Sequence, residues 1–479
     1  MKRFLLSAII GILVLPVGAK IKLPAILSDN MVLQQQTSVN LWGDSDVKDP
    51  DNEITITTSW DNKEYIATPV HGSWSVKIQT PKSGGPYTIT ISDGETLILN
   101  NVMIGEVWLC SGQSNMEMPI KGFQGQPVNG SLDIIAQATP ENNIRMITVQ
   151  RNSSCVPLQD CDARWVESTP QSVANVSATA YFFACYLQNI LNVPVGIICS
   201  SWGGSKIEAW INKKTFEEQF PEISLDVLDR NPKDISKPHI EPVLLYNAMI
   251  NPIHNYTIKG AIWYQGEANR DKPELYKHLF PAMVQLWRNV WKQGDFPFYY
   301  VQIAPYDYGR ENADKIEAAQ LRQVQLECMY LIPNSGIVVT ADIGERTRIH
   351  PAAKSEVGKR LALWALSQTY GQDGIPFSGP LYKSAVIKEK EKVIELEFEH
   401  SEMGMTSHGQ DITGFEVAGS DSVFYPVTAK LTSGAKKISL EYKNRSNPIW
   451  IRYCFRNYQP VNLFSNFGLP VSPFETILK

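Results

Sequence analysis

The chain has 479 residues, too many for one compact core, so two or three domains are expected. Its 43% apolar and 10% aromatic content is that of a soluble globular protein with material for a large core. A net charge of −5 without basic runs gives a phosphate backbone nothing to bind, which excludes nucleic acid as a partner.

Met1-Lys2-Arg3 precedes a nearly continuous apolar stretch from Phe4 to Pro16, and the small residues Val17-Gly18-Ala19 come before Lys20. This order predicts a secretory signal over 1–19, too short to anchor in a bilayer. No cysteine follows Ala19 for lipid attachment, and no later run is long and apolar enough to cross a membrane. The expected location is periplasmic or secreted, without stable membrane insertion.

From Ile21 to about Asn100 short runs alternate apolar and polar residues: Val39–Gly43, Glu53–Thr58, Ser73–Ile78 and Pro86–Ile91. Period-two patterning broken by Asp-Asn, Asp-Gly and Gly-Gly predicts an antiparallel N-terminal β domain over 20–100. The middle, 101–372, changes rhythm. Helical spacing over Ala178–Leu191, Leu275–Trp291, Ala313–Cys328 and Ala352–Thr369 alternates with apolar strands at Val195–Cys199, Ile258–Tyr264, Phe298–Ile303 and Gly336–Thr340. That alternation predicts a parallel sheet with helices on both faces and functional residues at the strand C-terminal ends. Two polar stretches, 121–166 and 213–241, read as surface insertions near the site. Strand patterning returns over 373–479, as in Val393–Phe398, Gly414–Ala418, Ala435–Glu441 and Ile449–Tyr453, predicting a C-terminal β domain.

Of seven cysteines, Cys110, Cys185, Cys199, Cys328 and Cys454 lie in apolar patterns and read as core residues. Cys155 and Cys161 flank a polar loop and are candidates for pairing in an oxidising compartment. No Cys-x-x-Cys, His-Glu-x-x-His or acidic calcium loop occurs, so neither a metal nor another cofactor is expected. The sequence carries no signal of oligomeric state.

Four polar clusters fall at expected strand ends. Ser114, in Gly112-Gln113-Ser114-Asn115, follows an apolar run that stops abruptly, where a hydroxyl and neighbouring backbone N–H groups face one crevice. The pattern is not the Gly-x-Ser-x-Gly elbow, and a serine in such a turn ordinarily caps a helix. Ser200-Ser201-Trp202-Gly203-Gly204-Ser205 follows the second strand; its paired glycines suit close approach of a ligand, or an ordinary tight turn. Trp263-Tyr264-Gln265-Gly266-Glu267-Ala268-Asn269 ends the third strand, placing an amide that either donates to an oxyanion or satisfies loop backbone. The fourth runs from Asp342-Ile-Gly-Glu345 to His350-Pro351, where the imidazole projects from a loop before a helix.

In this order the four blocks resemble the sialate O-acetylesterases and related carbohydrate acetylesterases of the SGNH hydrolase superfamily. Ser28–Gln34, Asn247–Pro252 and Lys359–Leu363 are similar to further family segments. The resemblance implies a three-layer SGNH-type α/β domain flanked by β-sandwich-like modules. It implies Ser114 as nucleophile, His350 as general base, and an oxyanion hole of the Ser114 N–H, Gly203 or Gly204, and the Gln265 amide. Asn115, Trp202, Glu267 and Asn269 are the expected substrate contacts. The family's usual acid two positions before the histidine is replaced by Arg348. The acid limb therefore falls to Asp342, with Glu345, or a dyad steadied by a backbone carbonyl, as alternatives. The implied activity is removal of O-acetyl groups from sugars through an acetyl-serine, with 9-O-acetylated sialic acid as the leading substrate. Acetylated xylan or another glycan comes next. A catalytically inactive glycan-binding protein is the rival of another class.

Overall fold

The computed structural model describes residues 21–45, 53–309, 314–442 and 448–478, so the expected signal segment 1–19 lies outside the described residues. Its centre is a sheet in the order 165–167, 144–148, 195–201, 96–112, 260–264, 298–301, 335–338. The first pair is antiparallel and the remaining neighbours are parallel.

Successive residues of these strands point to opposite faces, as the pleat requires, and the apolar runs are buried on both. On one face Trp108, Cys110, Ile197 and Tyr299 pack under the helices Ala178–Leu191 and Lys354–Trp364. On the other, Leu109, Ile198, Trp263 and Tyr300 meet the helices Pro273–Trp291 and Glu317–Leu331. The body is thus a mixed α/β structure with one large sheet, and the four strands expected from apolar runs all lie in it.

Two expectations need correction. The strand Thr96–Gly112 spans 17 residues and crosses the expected junction at residue 100. Its first half pairs antiparallel with Gly84–Ser92, and its second half pairs parallel with Val195–Ser201 and Gly260–Tyr264. The stretch 121–166 is not all surface, because Ile144–Thr148 is a strand of the central sheet. Arg145 interrupts its apolar run and is kept buried by an ion pair to Glu167 at 2.9 Å on the neighbouring strand.

Beyond the body, the strands 381–388, 393–399, 437–441 and 428–432 form one four-stranded sheet, and 425–426, 415–418, 450–453 and 474–477 a second. Both contribute to one apolar core, with Leu396 and Leu440 from the first and Phe415, Tyr453 and Phe474 from the second. Cys110, Cys199, Cys328 and Cys454 are buried and Cys185 partly so. Cys155 and Cys161 are unpaired.

Candidate active site

Register brings three clusters level. Gly112 is paired with Ser201 on one side and Tyr264 on the other, so the chain leaves all three strands at one height. Gly112 has φ +143°, and a Cβ there would lie 2.2 Å from the Tyr264 carbonyl oxygen; only glycine permits this exit from the sheet. A four-residue helix, Ser114–Glu117, follows at once and places Ser114 above the strand end.

His350 arrives from the loop between the last strand and the helix Lys354–Trp364. Its Nε2 lies 2.8 Å from Ser114 Oγ, across 236 positions of sequence. Its Nδ1 lies 2.6 Å from Gln126 Oε1. With an amide oxygen accepting from Nδ1–H, the ring presents Nε2 as acceptor to the serine hydroxyl. Phe123 packs edge-on against the imidazole, with centroids 5.2 Å apart. Burial, with Lys354 nearby adding to it, pushes His350 down to about 4, so the ring is neutral and able to accept a proton near neutral pH.

Asp342 is not the partner of His350. Its carboxylate forks onto Arg360 at 2.8 and 2.7 Å, tying the end of the last strand to the following helix. Glu345 is committed to Arg348 at 2.5 Å and to the Ala352 N–H at 2.8 Å. The residue in the acid's place is Gln126, from the stretch read as a surface insertion. The turn Phe123–Gln126, closed by a 2.9 Å backbone bond, with Gly122 before it and Gly125 within it, brings both side chains onto the imidazole. The run Gly122-Phe123-Gln124-Gly125-Gln126 shortly after the serine is the one sequence signal of this turn.

The expected oxyanion donors divide. Both amide hydrogens of Gln265 are used, to the Ser205 carbonyl at 3.0 Å and Asn269 Oδ1 at 2.7 Å, and the side chain is fully buried; Gln265 holds the floor and does not face a substrate. The Gly203 N–H donates to Glu117 Oε2 at 2.8 Å. The N–H groups of Ser114 and Gly204 have no protein acceptor among the described residues. Gly204 takes φ +75°, a left-handed turn suited to glycine, and is exposed.

Three of the four expected substrate contacts are buried and bonded within the protein. Asn115 Nδ2 donates to Glu267 Oε1 at 2.6 Å and to the Ile349 carbonyl at 3.1 Å, while Asn269 donates to Glu208 at 2.8 Å. Burial raises the Glu267 carboxyl above its usual range. Asn115, Glu267 and Asn269 are therefore framework residues. Trp202 alone reaches the open side, half-buried, stacked on His239 at 5.8 Å with the Arg151 guanidinium 5.7 Å above its ring. Arg151 forks onto Glu117 with two bonds of 2.5 Å. Beside Glu117 and Phe123 opens a cavity of ≈ 410 Å³ lined also by Arg151, Asn175, Ser177 and Ser201, room for a small polar ligand. Among the described residues no cluster of three or more His, Cys, Asp or Glu could hold a metal, and no helix is long and apolar enough to cross a membrane.

The family model for carbohydrate esterases described as sialic acid-specific acetylesterases matches residues 104–367. The chain is 28% identical over 467 residues to the sialate O-acetylesterase of Mus musculus, covering 84% of this chain and 82% of that protein. It is 29% identical over 399 residues to the Homo sapiens enzyme of the same name, covering 76% and 74%. Among solved structures, a carbohydrate acetylesterase from Xanthomonas citri superposes with a TM-score of 0.84 at 31% identity, covering 95% of this chain and 99% of that one.

Proposed function

The chain belongs to the sialic acid-specific acetylesterase family of carbohydrate esterases, and on that premise we propose that Ser114 and His350 cleave O-acetyl groups from sugars through an acetyl-serine. The enzyme is a carboxylic ester hydrolase acting on acetylated sugar. The observation that carries the assignment of residues is the 2.8 Å bond between Ser114 Oγ and His350 Nε2 at the level ends of three strands.

His350 takes the hydroxyl proton as Ser114 Oγ bonds to the acetyl carbonyl carbon. The charge gathering on the carbonyl oxygen is met by the free N–H groups of Ser114 and Gly204. Collapse breaks the bond to the sugar oxygen, which leaves with the proton from His350. Water, deprotonated by the same ring, then releases acetate and restores the serine. Gln126 fixes the ring tautomer where other triads use a carboxylate. We read the body as the SGNH arrangement, since the nucleophile, glycine, amide and histidine blocks occupy its strand ends in order.

The names of the relatives point to O-acetylated sialic acid as the substrate class, within which the 9-O-acetyl ester is our leading candidate, and the N-terminal segment 1–19 supports export to the periplasm or exterior. Acetate release from O-acetylated sialic acids and from acetylated xylan, followed in parallel, tests this. Release from the sialic acids that is abolished in Ser114→Ala is the expected result. Release from xylan alone reassigns the sugar, and release from neither by folded protein would leave a glycan-binding protein.

A further inference from the structure

Lys354 is fully buried at the first position of its helix, where the positive end of the helix dipole opposes an ammonium. Its hydrogen-bond partners are neutral: Asn115 Oδ1 at 2.7 Å and the Pro351 carbonyl at 2.8 Å, with the Tyr264 ring centroid 5.9 Å away. Buried lysines are seldom held by neutral hydrogen-bond partners with the carboxylates, here Glu267 and Glu345, acting only from a distance.

Asn115 supplies the other half of the arrangement. Its Nδ2 donates to Glu267 Oε1 at 2.6 Å and to the Ile349 carbonyl at 3.1 Å. The carbonyls on both sides of His350 are therefore held, Ile349 by Asn115 and Pro351 by Lys354. Asn115 is also the residue next to Ser114, so one amide ties the nucleophile's turn to the base's loop. In an ordinary triad a carboxylate on Nδ1 does the orienting; here, among the described residues, Nδ1 meets only the amide of Gln126, carried on a turn of a loop.

We propose that Lys354 and Asn115 are positioning residues that brace His350 against Ser114 from beneath, through its two flanking carbonyls, in place of a triad carboxylate. The proposal rests on the assignment of Ser114 and His350 above. The charged and titratable groups around the Lys354 ammonium are Glu267 from the third strand end, with Arg270 beyond it, Tyr264, and Glu345, itself paired to Arg348, together with His350 one turn back. Burial pushes Lys354 down to about 7 against the pull of Glu267 and Glu345, and its charge adds to the burial that lowers His350.

The test is steady-state hydrolysis of p-nitrophenyl acetate by the full chain, as wild type, Ser114→Ala, Lys354→Met and Asn115→Ala, with thermal unfolding of each and the pH profile of kcat/KM. Each folded brace variant is expected to lose on the order of 100-fold in kcat with KM within about threefold of wild type, the cost of a small misplacement of the base. Lys354→Met should also move the acidic limb to higher pH, because a cation that disfavours imidazolium is gone. Asn115→Ala keeps that cation and should leave the limb in place. A folded Lys354→Met with wild-type kcat and an unmoved limb overturns the brace, as does a loss confined to KM. If Lys354→Met does not fold, Asn115→Ala decides alone: lost kcat at constant KM supports the brace and wild-type kcat overturns it. Activity retained in Ser114→Ala would instead overturn the nucleophile assignment and the brace with it.

Discussion

Beneath Ser114, Asn115, Gln265, Glu267, Asn269 and Lys354 are buried and bond to one another and to backbone, whereas on its open side Gln126, Phe123 and Trp202 are half-buried and Arg151 is exposed. The underside is drawn from blocks dense in recognisable motif residues, and the open side mostly from loops without any. Buried amides and carboxylates must find partners, so a strand-end cluster rich in them becomes a bonded floor. The side chains left free to meet a ligand are those whose loops give them room to face solvent.

The two sides meet at the Ser114 hydroxyl. Ser114→Ala should lower kcat by about 10⁴-fold or more while the unfolding temperature stays at the wild-type value, since the hydroxyl's only described bond is to His350. Activity on p-nitrophenyl acetate, alongside a melting curve, separates that result from misfolding.

Asp342 belongs to the buried side. It has the chemistry and chain position of a catalytic acid, yet its carboxylate is spent on Arg360, both side chains being largely buried. Asp342→Asn should therefore keep turnover within about twofold and cost about 3 kcal/mol of stability, because Arg360 is left without its counter-charge. Chemical denaturation and kcat measured on the same preparation check this; a collapse of kcat with unchanged stability would return Asp342 to the catalytic machinery.

Gln126 is the open side's claim on the chemistry. Gln126→Ala should reduce kcat by about tenfold to a hundredfold by freeing the ring to turn. Gln126→Glu places a carboxylate on Nδ1, which favours imidazolium and raises His350 from about 4. A neutral base then requires a higher pH, so the acidic limb of kcat/KM should move upward, which a pH titration of initial rates reads directly.

These cases show why one half of the site was legible and the other not. Continuous apolar runs marked Val195–Ser201, Gly260–Tyr264, Phe298–Val301 and Ser335–Val338, since a strand covered on both faces leaves no other pattern. The serine and histidine stood at their ends, and the family pattern paired them. Ile144–Thr148 was hidden by Arg145, whose burial depends on Glu167, a partner that no local pattern reveals. Gln126 meets His350 across 224 positions, and the glycines around it mark a turn without marking what that turn meets. For motif residues such as Gln265 and Asn269 the sequence marks which side chains are polar and not which bonds already occupy them.

Trp202 is the one of the four expected substrate contacts that reaches the open side, and its replacement should have the mildest consequence. Its backbone N–H is fixed to the Gly112 carbonyl at 3.1 Å, and its ring stacks on His239 with the Arg151 guanidinium 5.7 Å from its centroid, so truncation leaves the backbone in place and removes the aromatic surface. Trp202→Ala should raise KM for an acetylated sugar about fivefold, the weight of one aromatic contact, at constant kcat. For p-nitrophenyl acetate, which has no sugar ring, KM should not move. An equal fall in kcat on both substrates would mean that Trp202 acts through Arg151 and Glu117 on the Gly203 turn, and would shift it from the side that meets substrate to the side that holds the site together.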